Sequence, residues 1–237
     1  MLENKRTVNK RSLYGQVATT LGERIVDGYY QQGVNLPQEA KIMAEFDISR
    51  TALREAFKLL SAKGLIESKP KTGTKVAEQK YWNLFDPDVL NWCFASAQSN
   101  KVLQDLFQLR QSIEPTAAQL AAYNATEQQI TAIESAYLKM ETAEYGTPQT
   151  LLSDVEFHQA VLAASGNILI ESFGTMLAEA LYRSFDITTN QAEENWLAAL
   201  PLHKAVLVNI QNRDSAAAQA AMLHLLDTTN KSIKNAN

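Results

Sequence analysis

The sequence predicts a mainly α-helical protein in two parts: a small head of three helices closed by a hairpin, then an all-α body of about six or seven helices. Three observations carry this expectation. Apolar residues recur at three- and four-residue intervals almost throughout. Only two short segments, 65–68 and 74–77, read as extended. Charge also divides along the chain: residues 1–80 hold 14 Lys and Arg against 9 Asp and Glu, a net of +5, and residues 81–237 hold 8 against 17, a net of −9. The whole-chain value of −4 conceals that split. A basic head on an acidic body is the asymmetry expected when only one part meets a polyanion.

Composition bounds the class. With 46% hydrophobic and 20% charged residues in 237, the chain can bury substantial cores and is not of the disordered type. No apolar run approaches the roughly 18–20 residues of a membrane span, and the basic start, Met1 to Ser12, leads into no apolar stretch. A secreted or membrane-spanning protein is therefore not expected. The single cysteine, Cys93, excludes an internal disulfide framework and fits a reducing cytoplasm.

The head divides into elements in order. Ser12 is suited to cap a helix running to about Asp27, with Leu13, Val17, Leu21 and Ile25 four apart on one face. Gly28 ends it and Gly33 punctuates the following loop. Pro37 at a first helical position and Glu39 in the first turn open a short helix to about Phe46. After Asp47-Ile48-Ser49, Ser49 caps a third helix, Arg50 to about Lys63, whose apolar face is Leu53, Ala56, Phe57 and Leu60. Gly64 stops it. Two extended pieces follow around the turn Lys69-Pro70-Lys71-Thr72-Gly73. Two short helices on a tight turn, then a basic hairpin, describe a winged helix-turn-helix spanning residues 1–78.

The motifs are more specific than the outline. Leu36-Pro37-x-Glu39, then Phe46-x-Ile48-Ser49-Arg50-Thr51-x-Leu53-Arg54-Glu55-Ala56, then Gly64-Leu65-Ile66 and Gly73-Thr74-x-Val76, resemble the GntR family of bacterial transcription regulators over residues 10–77. The physics of the third helix agrees. Arg50 and Arg54 are four apart, hence on one face, opposite Leu53 and Phe57; at the start of a helix they can reach base edges, where Arg pairs bidentately with guanine. Ser49 and Thr51 can serve phosphate or base. The resemblance further implies that Lys71, Thr72 and Gly73 form a wing tip at the minor groove. Many members carry Arg immediately after the Pro-x-Glu glutamate; here that position is Ala40, and Lys41 stands next to it as the replacement contact.

Residues 79–98 read as a linker and first helix, with Asp86-Pro87 as its N-cap and first-turn pair. Residues 99–237 read as an all-helical domain, with helices near 100–123, 127–145, 148–165, 168–187, 195–212 and 214–233. Its three histidines are the only ones in the chain. Asp154 and His158 are spaced i, i+4 on a face with Leu151, Val161 and Leu162. His203 faces the side of Leu200, Val206, Leu207 and Ile210. His203 and His224 lie about ten residues either side of the turn 212–214, so in a helical hairpin they stand at one height. One carboxylate and three imidazoles would make a divalent-metal site, Zn first, with Ni or Mn as alternatives. A lone inward histidine is ordinarily a satisfied core residue, but here all three face inward.

A second resemblance bears on this site. Asp154-x-x-x-His158, Ala164-Ser165-Gly166-Asn167, His203 with Ile210, and Ala221-Met222 before His224 resemble the C-terminal domain of the FadR subfamily of GntR regulators. That implies a metal held by Asp154, His158, His203 and His224, serving a small carboxylate effector, and a homodimer on a palindromic DNA operator. The linker Trp82-Asn83-Leu84-Phe85-Asp86-x-Asp88-Val89-Leu90-x-Trp92 is similar to that of sugar-acid regulators of the galactonate type. Effector-binding candidates are Arg110, which otherwise pairs with Glu114 at i+4; Asn167, which otherwise ends a helix; and Arg183, which otherwise lies on the surface. The expected function is a sequence-specific DNA-binding regulator, a repressor, and not an enzyme. The competing reading, a metal-dependent hydrolase-like enzyme on the Asp/His site, lacks a base motif such as His-Glu-x-x-His.

Overall fold

The structure, a computed structural model, describes residues 12–69, 73–176, 178 and 193–236. The chain divides into two compact units, Met1–Val102 and Leu103–Asn237.

In the first unit, α1 (Leu13–Val26) starts where the Ser12 side chain accepts from the Gly15 N–H, and it buries Val17, Ala18, Leu21 and Ile25. The second helix, α2 (Glu39–Phe46), begins two residues later than expected, because Gln38 is extended and leaves Pro37 outside the helix. Asp47, in the left-handed region at φ 50°, turns the chain sharply into α3 (Arg50–Ala62). The Ser49 hydroxyl oxygen caps α3 by accepting from Ala52 N–H, and the buried face is the expected Leu53, Ala56, Phe57 and Leu60. The strands β1 (Ile66–Lys69) and β2 (Gly73–Val76) pair antiparallel, Ile66 opposite Val76 and Lys69 opposite Gly73.

Residues 33–36, a turn leading into a single bridge at Asn35, lie along the free edge of β2: Gly33 and Leu36 N–H donate to the Val76 and Thr74 carbonyls. The glycine-punctuated sequence predicts only a loop there. Its backbone satisfies an edge that a two-stranded hairpin would leave open. The helix α4 (Pro87–Ala95) is capped by Asp86 and sends Val89, Trp92 and Cys93 into the same core as α1 and α3. Trp92 lies flat on Gly22 of α1, where any Cβ would collide with its ring, so a glycine in mid-helix is required by close approach.

The second unit is helical among its described residues. Its helices are α5 (Ser99–Asn124, beginning just before the unit boundary), α6 (Glu127–Thr142), α7 (Pro148–Ala164), α8 (residues 168–176), α9 (Glu193–Gln211) and α10 (Ser215–Ala236). Thr126 and Gln129 form a reciprocal capping box at α6. Arg213 at φ 61° and Asp214, which accepts from Ala217 N–H, close the α9–α10 hairpin. Ile133, Met140, Phe157, Val161, Val206, Ile210, Met222 and Leu226 make up much of the core.

Candidate functional site

The nucleic-acid candidates of the first unit lie on its outside. Lys41, Ser49, Arg50, Thr51, Arg54 and Gly73 are all exposed. Arg50 and Arg54 share the solvent face of α3, opposite the buried Leu53 and Phe57, so the apolar face holds the helix while the arginines are presented outward. Arg50 makes one loose ion pair, Nε 3.7 Å from Glu39 Oε2, with both side chains largely exposed. Such a pair is worth little and is readily exchanged for a phosphate or base. Gly73 opens β2 at φ 91°, a conformation that favours glycine at a hairpin turn. Lys71 and Thr72 lie outside the described residues.

The buried cluster of the second unit is built by three residues on two helices. Asp154 and His158 stand one turn apart on α7, and His203 comes from α9. Asp154 Oδ1 lies 3.2 Å from His203 Nε2 and 4.0 Å from His158 Nε2, and one ligand atom from each residue falls within 4.8 Å of the others. Phe157 packs edge-on against both imidazoles and walls the cluster from the core. The outer nitrogens are engaged. His158 Nδ1 sits 2.6 Å from Glu114 Oε2, and His203 Nδ1 sits 2.9 Å from the Ala199 carbonyl. With these acceptors holding the Nδ1 protons of neutral imidazoles, both Nε2 atoms would be free to turn lone pairs toward an ion beside the Asp154 carboxylate.

That arrangement tests the fit of a metal. His203 Nε2 is buried and makes no well-aligned hydrogen bond, although Asp154 Oδ1 stands 3.2 Å away. In the neutral tautomers set by those outer acceptors, a carboxylate oxygen and two imidazole lone pairs would converge in a dry interior, and a cation between them would relieve their repulsion. Ligand atoms about 2.0–2.2 Å from a divalent ion stand roughly 3–4 Å from each other, in line with the two separations to Asp154. The donor set, two nitrogens and one oxygen, suits a transition-metal ion. Burial pushes the Asp154 carboxyl up, but the neighbouring His203 and His158 and the more distant Arg110 outweigh it, bringing its pKa down to about 2. It is therefore ionised and ready to act as a ligand.

Glu114 was not singled out as a site residue. It is wholly buried on α5, accepting from Arg110 Nε at 2.6 Å with one oxygen and meeting His158 with the other. Burial pushes its carboxyl up, yet Arg110 and His158 hold it at about 2. The signal was present: position 114 follows the inward stripe of Leu103, Phe107 and Arg110 and precedes Ala117, Ala118 and Ala121, so a charge there must be buried. Arg110 is thus both the i, i+4 partner of Glu114 and a cation beside the cluster. The enzyme reading would need a carboxylate base beside the ligands, for which the sequence offers no motif. Glu114 is one, but it contacts the outer nitrogen of His158 and is neutralised by Arg110, away from the converging lone pairs.

Two expectations require correction. His224 stands on the exposed side of α10, and the three-residue cluster does not include it. Distance from the turn fixes height but not rotation. At about 100° per residue, His224 is turned roughly 200° from Met222, while Leu225 occupies the inner position next to it. Asn167 is also exposed: its Oδ1 accepts from Leu169 and Ile170 N–H, capping α8 rather than lining the cluster. Gly166, at φ 74°, makes that turn against Asn124. Arg183 lies outside the described residues.

A basic winged helix-turn-helix joined to a helical unit with a buried carboxylate–imidazole centre defines a ligand-responsive DNA-binding regulator. The model for bacterial regulatory proteins of the GntR family matches residues 13–76, and that of the FCD domain matches residues 105–228. The chain is 32% identical to the galactonate operon transcriptional repressor of Escherichia coli K12 over 96% of its own length and 98% of that protein's. It is 30% identical to the Exu regulon transcriptional regulator of the same organism, covering 92% and 83% of the two chains. A solved GntR structure from Streptococcus agalactiae is similar at 27% identity and a TM-score of 0.53, covering 92% of this chain and 99% of that one. The chain belongs to the GntR family. It is a DNA-binding transcriptional regulator whose C-terminal domain receives a small-molecule effector. No helix among the described residues is long and apolar enough to cross a membrane.

Proposed function

We propose that the protein is a cytoplasmic, homodimeric repressor of the FadR type. It binds a palindromic operator through Lys41, Ser49, Arg50, Thr51, Arg54 and the wing residues Lys71, Thr72 and Gly73. A small carboxylate bound at a metal centre in the second unit controls it. The observation that carries this reading is the convergence of Asp154, His158 and His203, one ligand atom of each within 4.8 Å of the others, with His203 Nε2 buried and making no well-aligned hydrogen bond. These three residues would hold a divalent ion, Zn first, Ni or Mn next. Such an ion would supply an electron-pair acceptor for an effector's carboxylate or hydroxyl oxygens.

The protein's own groups complete the site. Glu114 and the Ala199 carbonyl fix which nitrogen of each imidazole faces inward, which orients the ligands before any ion arrives. Arg110 gives its Nε to Glu114 and keeps its Nη groups for a carboxylate. A sugar acid suits both features, having one carboxylate for Arg110 and adjacent hydroxyls for the metal. The names of the galactonate and Exu relatives favour that class. Arg183 stands as a further cation for the same ligand. An effector that binds two arrangements of the dimer unequally shifts the population between them, and thereby the spacing of the two heads.

Elemental analysis of purified protein, followed by thermal-shift screening of sugar acids with and without added Zn, tests the proposal. A metal near one equivalent and a stabilisation by an acid that needs the metal are expected. Protein that takes up no divalent ion after reconstitution returns the histidines to a structural role.

A further inference from the structure

Arg50 and Arg54 share the outer face of α3, but among the described residues only Arg50 has a carboxylate partner. That partner is Glu39, the first residue of α2, which stands across the helix-turn-helix from Arg50, the first residue of α3. Arg50 is its one ion-pair partner among the described residues. The next two residues do not compete for it: Ala40 has no charge, and Lys41 is exposed and forms no ion pair with it. An acid on a surface that meets phosphates weakens binding to every DNA sequence, because the phosphates repel it. Glu55, next to Arg54 in the chain, is covered by Lys58 at 2.7 Å. Glu39 instead holds a recognition arginine, so its charge calls for an account.

The edge of the guanidinium that Glu39 approaches is informative. Its Oε2 lies 3.7 Å from Arg50 Nε, which leaves the two terminal Nη groups as an outward fork of the kind that fits guanine O6 and N7. With side chains 67% and 42% exposed, the pair is weak in water, and Arg50 leaves it for a phosphate at little cost. Where a matching site displaces that water, the same pair strengthens. We propose that Glu39 is a positioning residue that sets the Arg50 guanidinium for one guanine, and so determines base specificity rather than affinity. The inference rests on the reading of Arg50 as a base contact. On a matching site Arg50 keeps Glu39 at Nε while its Nη fork meets the base, and the support narrows the orientations open to the fork. On other DNA Arg50 turns to a phosphate, and Glu39 is left uncompensated beside the backbone. A purely structural role differs in its consequences. Glu39 lies in the first turn of α2, where the helix end attracts negative charge and Gln38 supplies no side-chain cap. That role would affect the stability of α2, and thereby all DNA sequences alike.

The experiment uses the full chain and an operator selected from a random DNA library by the wild-type protein. Each base pair of the operator is replaced in turn, and the loss of affinity is measured by fluorescence anisotropy for wild type, Arg50→Ala, Glu39→Gln and the double variant. Expressed as a ratio to the intact operator, each penalty is free of any general gain from the lost charge or general loss from a weaker α2. The pair read by Arg50 is the one whose replacement penalises wild-type protein but not Arg50→Ala. There the wild-type penalty is expected to be about tenfold or more, and Glu39→Gln is expected to cut it by at least about threefold, with the other penalties unchanged within about twofold. Adding Glu39→Gln to Arg50→Ala should leave the penalties of Arg50→Ala unaltered. An undiminished penalty at that pair in Glu39→Gln overturns the proposal. So does a uniform shrinkage of all penalties, since Glu39 then serves the fold of the head. Loss of preference at a different pair also overturns it, because Glu39 then reads a base itself, as a carboxylate does by accepting from the cytosine amino group. Arg50→Ala protein that keeps every wild-type base preference overturns the reading of Arg50 as a base contact, and the proposal with it.

Discussion

Glu114→Gln tests the centre from its buried outer side. The substitution keeps the volume and one carbonyl acceptor, so what it removes is the charge. Arg110 is 4% exposed and Glu114 fully buried, and their pair at 2.6 Å has no solvent to replace it. Taking one partner from a buried pair costs about 3–5 kcal/mol, because the other charge stays behind uncompensated. At about 3 °C per kcal/mol for a chain of this size, the Tm should fall by about 10 °C. Denaturation followed by circular dichroism, with chelator present so that bound metal does not contribute, gives the number. In the Glu114→Gln background, Arg110→Leu should recover part of the loss, with a coupling of about 1–3 kcal/mol in the double-mutant cycle. The same variant unsettles the His158 ring, so divalent-ion affinity should fall about 10- to 100-fold in a competition titration. Stability within about 1 kcal/mol of wild type, together with unchanged ion affinity, would refute Glu114 as counter-ion and orienting group.

Other expectations follow from the same geometry. His203→Ala should abolish stoichiometric metal binding, whereas His224→Ala should leave it unchanged in an elemental assay, since His224 points outward. Arg50→Ala and Arg54→Ala should each weaken specific operator binding by about 1–3 kcal/mol in a gel-shift titration, with little change in Tm. The folded-state pKa values of Glu114 and Asp154, about 2, lie below their ordinary 4.5 and 3.8. The unfolded chain therefore binds protons first as pH falls. Their stabilisation is full above about pH 5 and is lost progressively toward pH 2; acid titration of the apo protein by circular dichroism reads this, and Glu114→Gln should flatten the upper part of the slope.

Much of the fold was legible because local chemistry and tertiary packing agree. Ser12, Ser49 and Asp86 all cap the helices that their positions in the sequence announce. The bridge of residues 33–36 to β2 was not legible, since a short piece between Gly33 and Pro37 has no periodicity to read and owes its pairing to β2. The site was legible where spacing alone decides, as for Asp154 and His158 on one helix. It failed where rotation about a second helix decides, as for His224, and where one polar residue serves a local need, as Asn167 does at its cap. Glu114 shows the converse: its i, i+4 partner was visible, but only the buried stripe of α5 shows that the pair lies inside, against His158.

The most direct test of effector control is the affinity of metal-loaded protein for its selected operator, measured by fluorescence anisotropy with and without a panel of sugar acids, galactonate among them. At least one acid is expected to change the Kd by about 5- to 150-fold, the usual range of allosteric coupling, and to have no effect on His203→Ala protein. An equal change in the His203→Ala variant, or operator affinity indifferent to every acid that stabilises the metal-loaded protein, would contradict control through the Asp154, His158 and His203 centre.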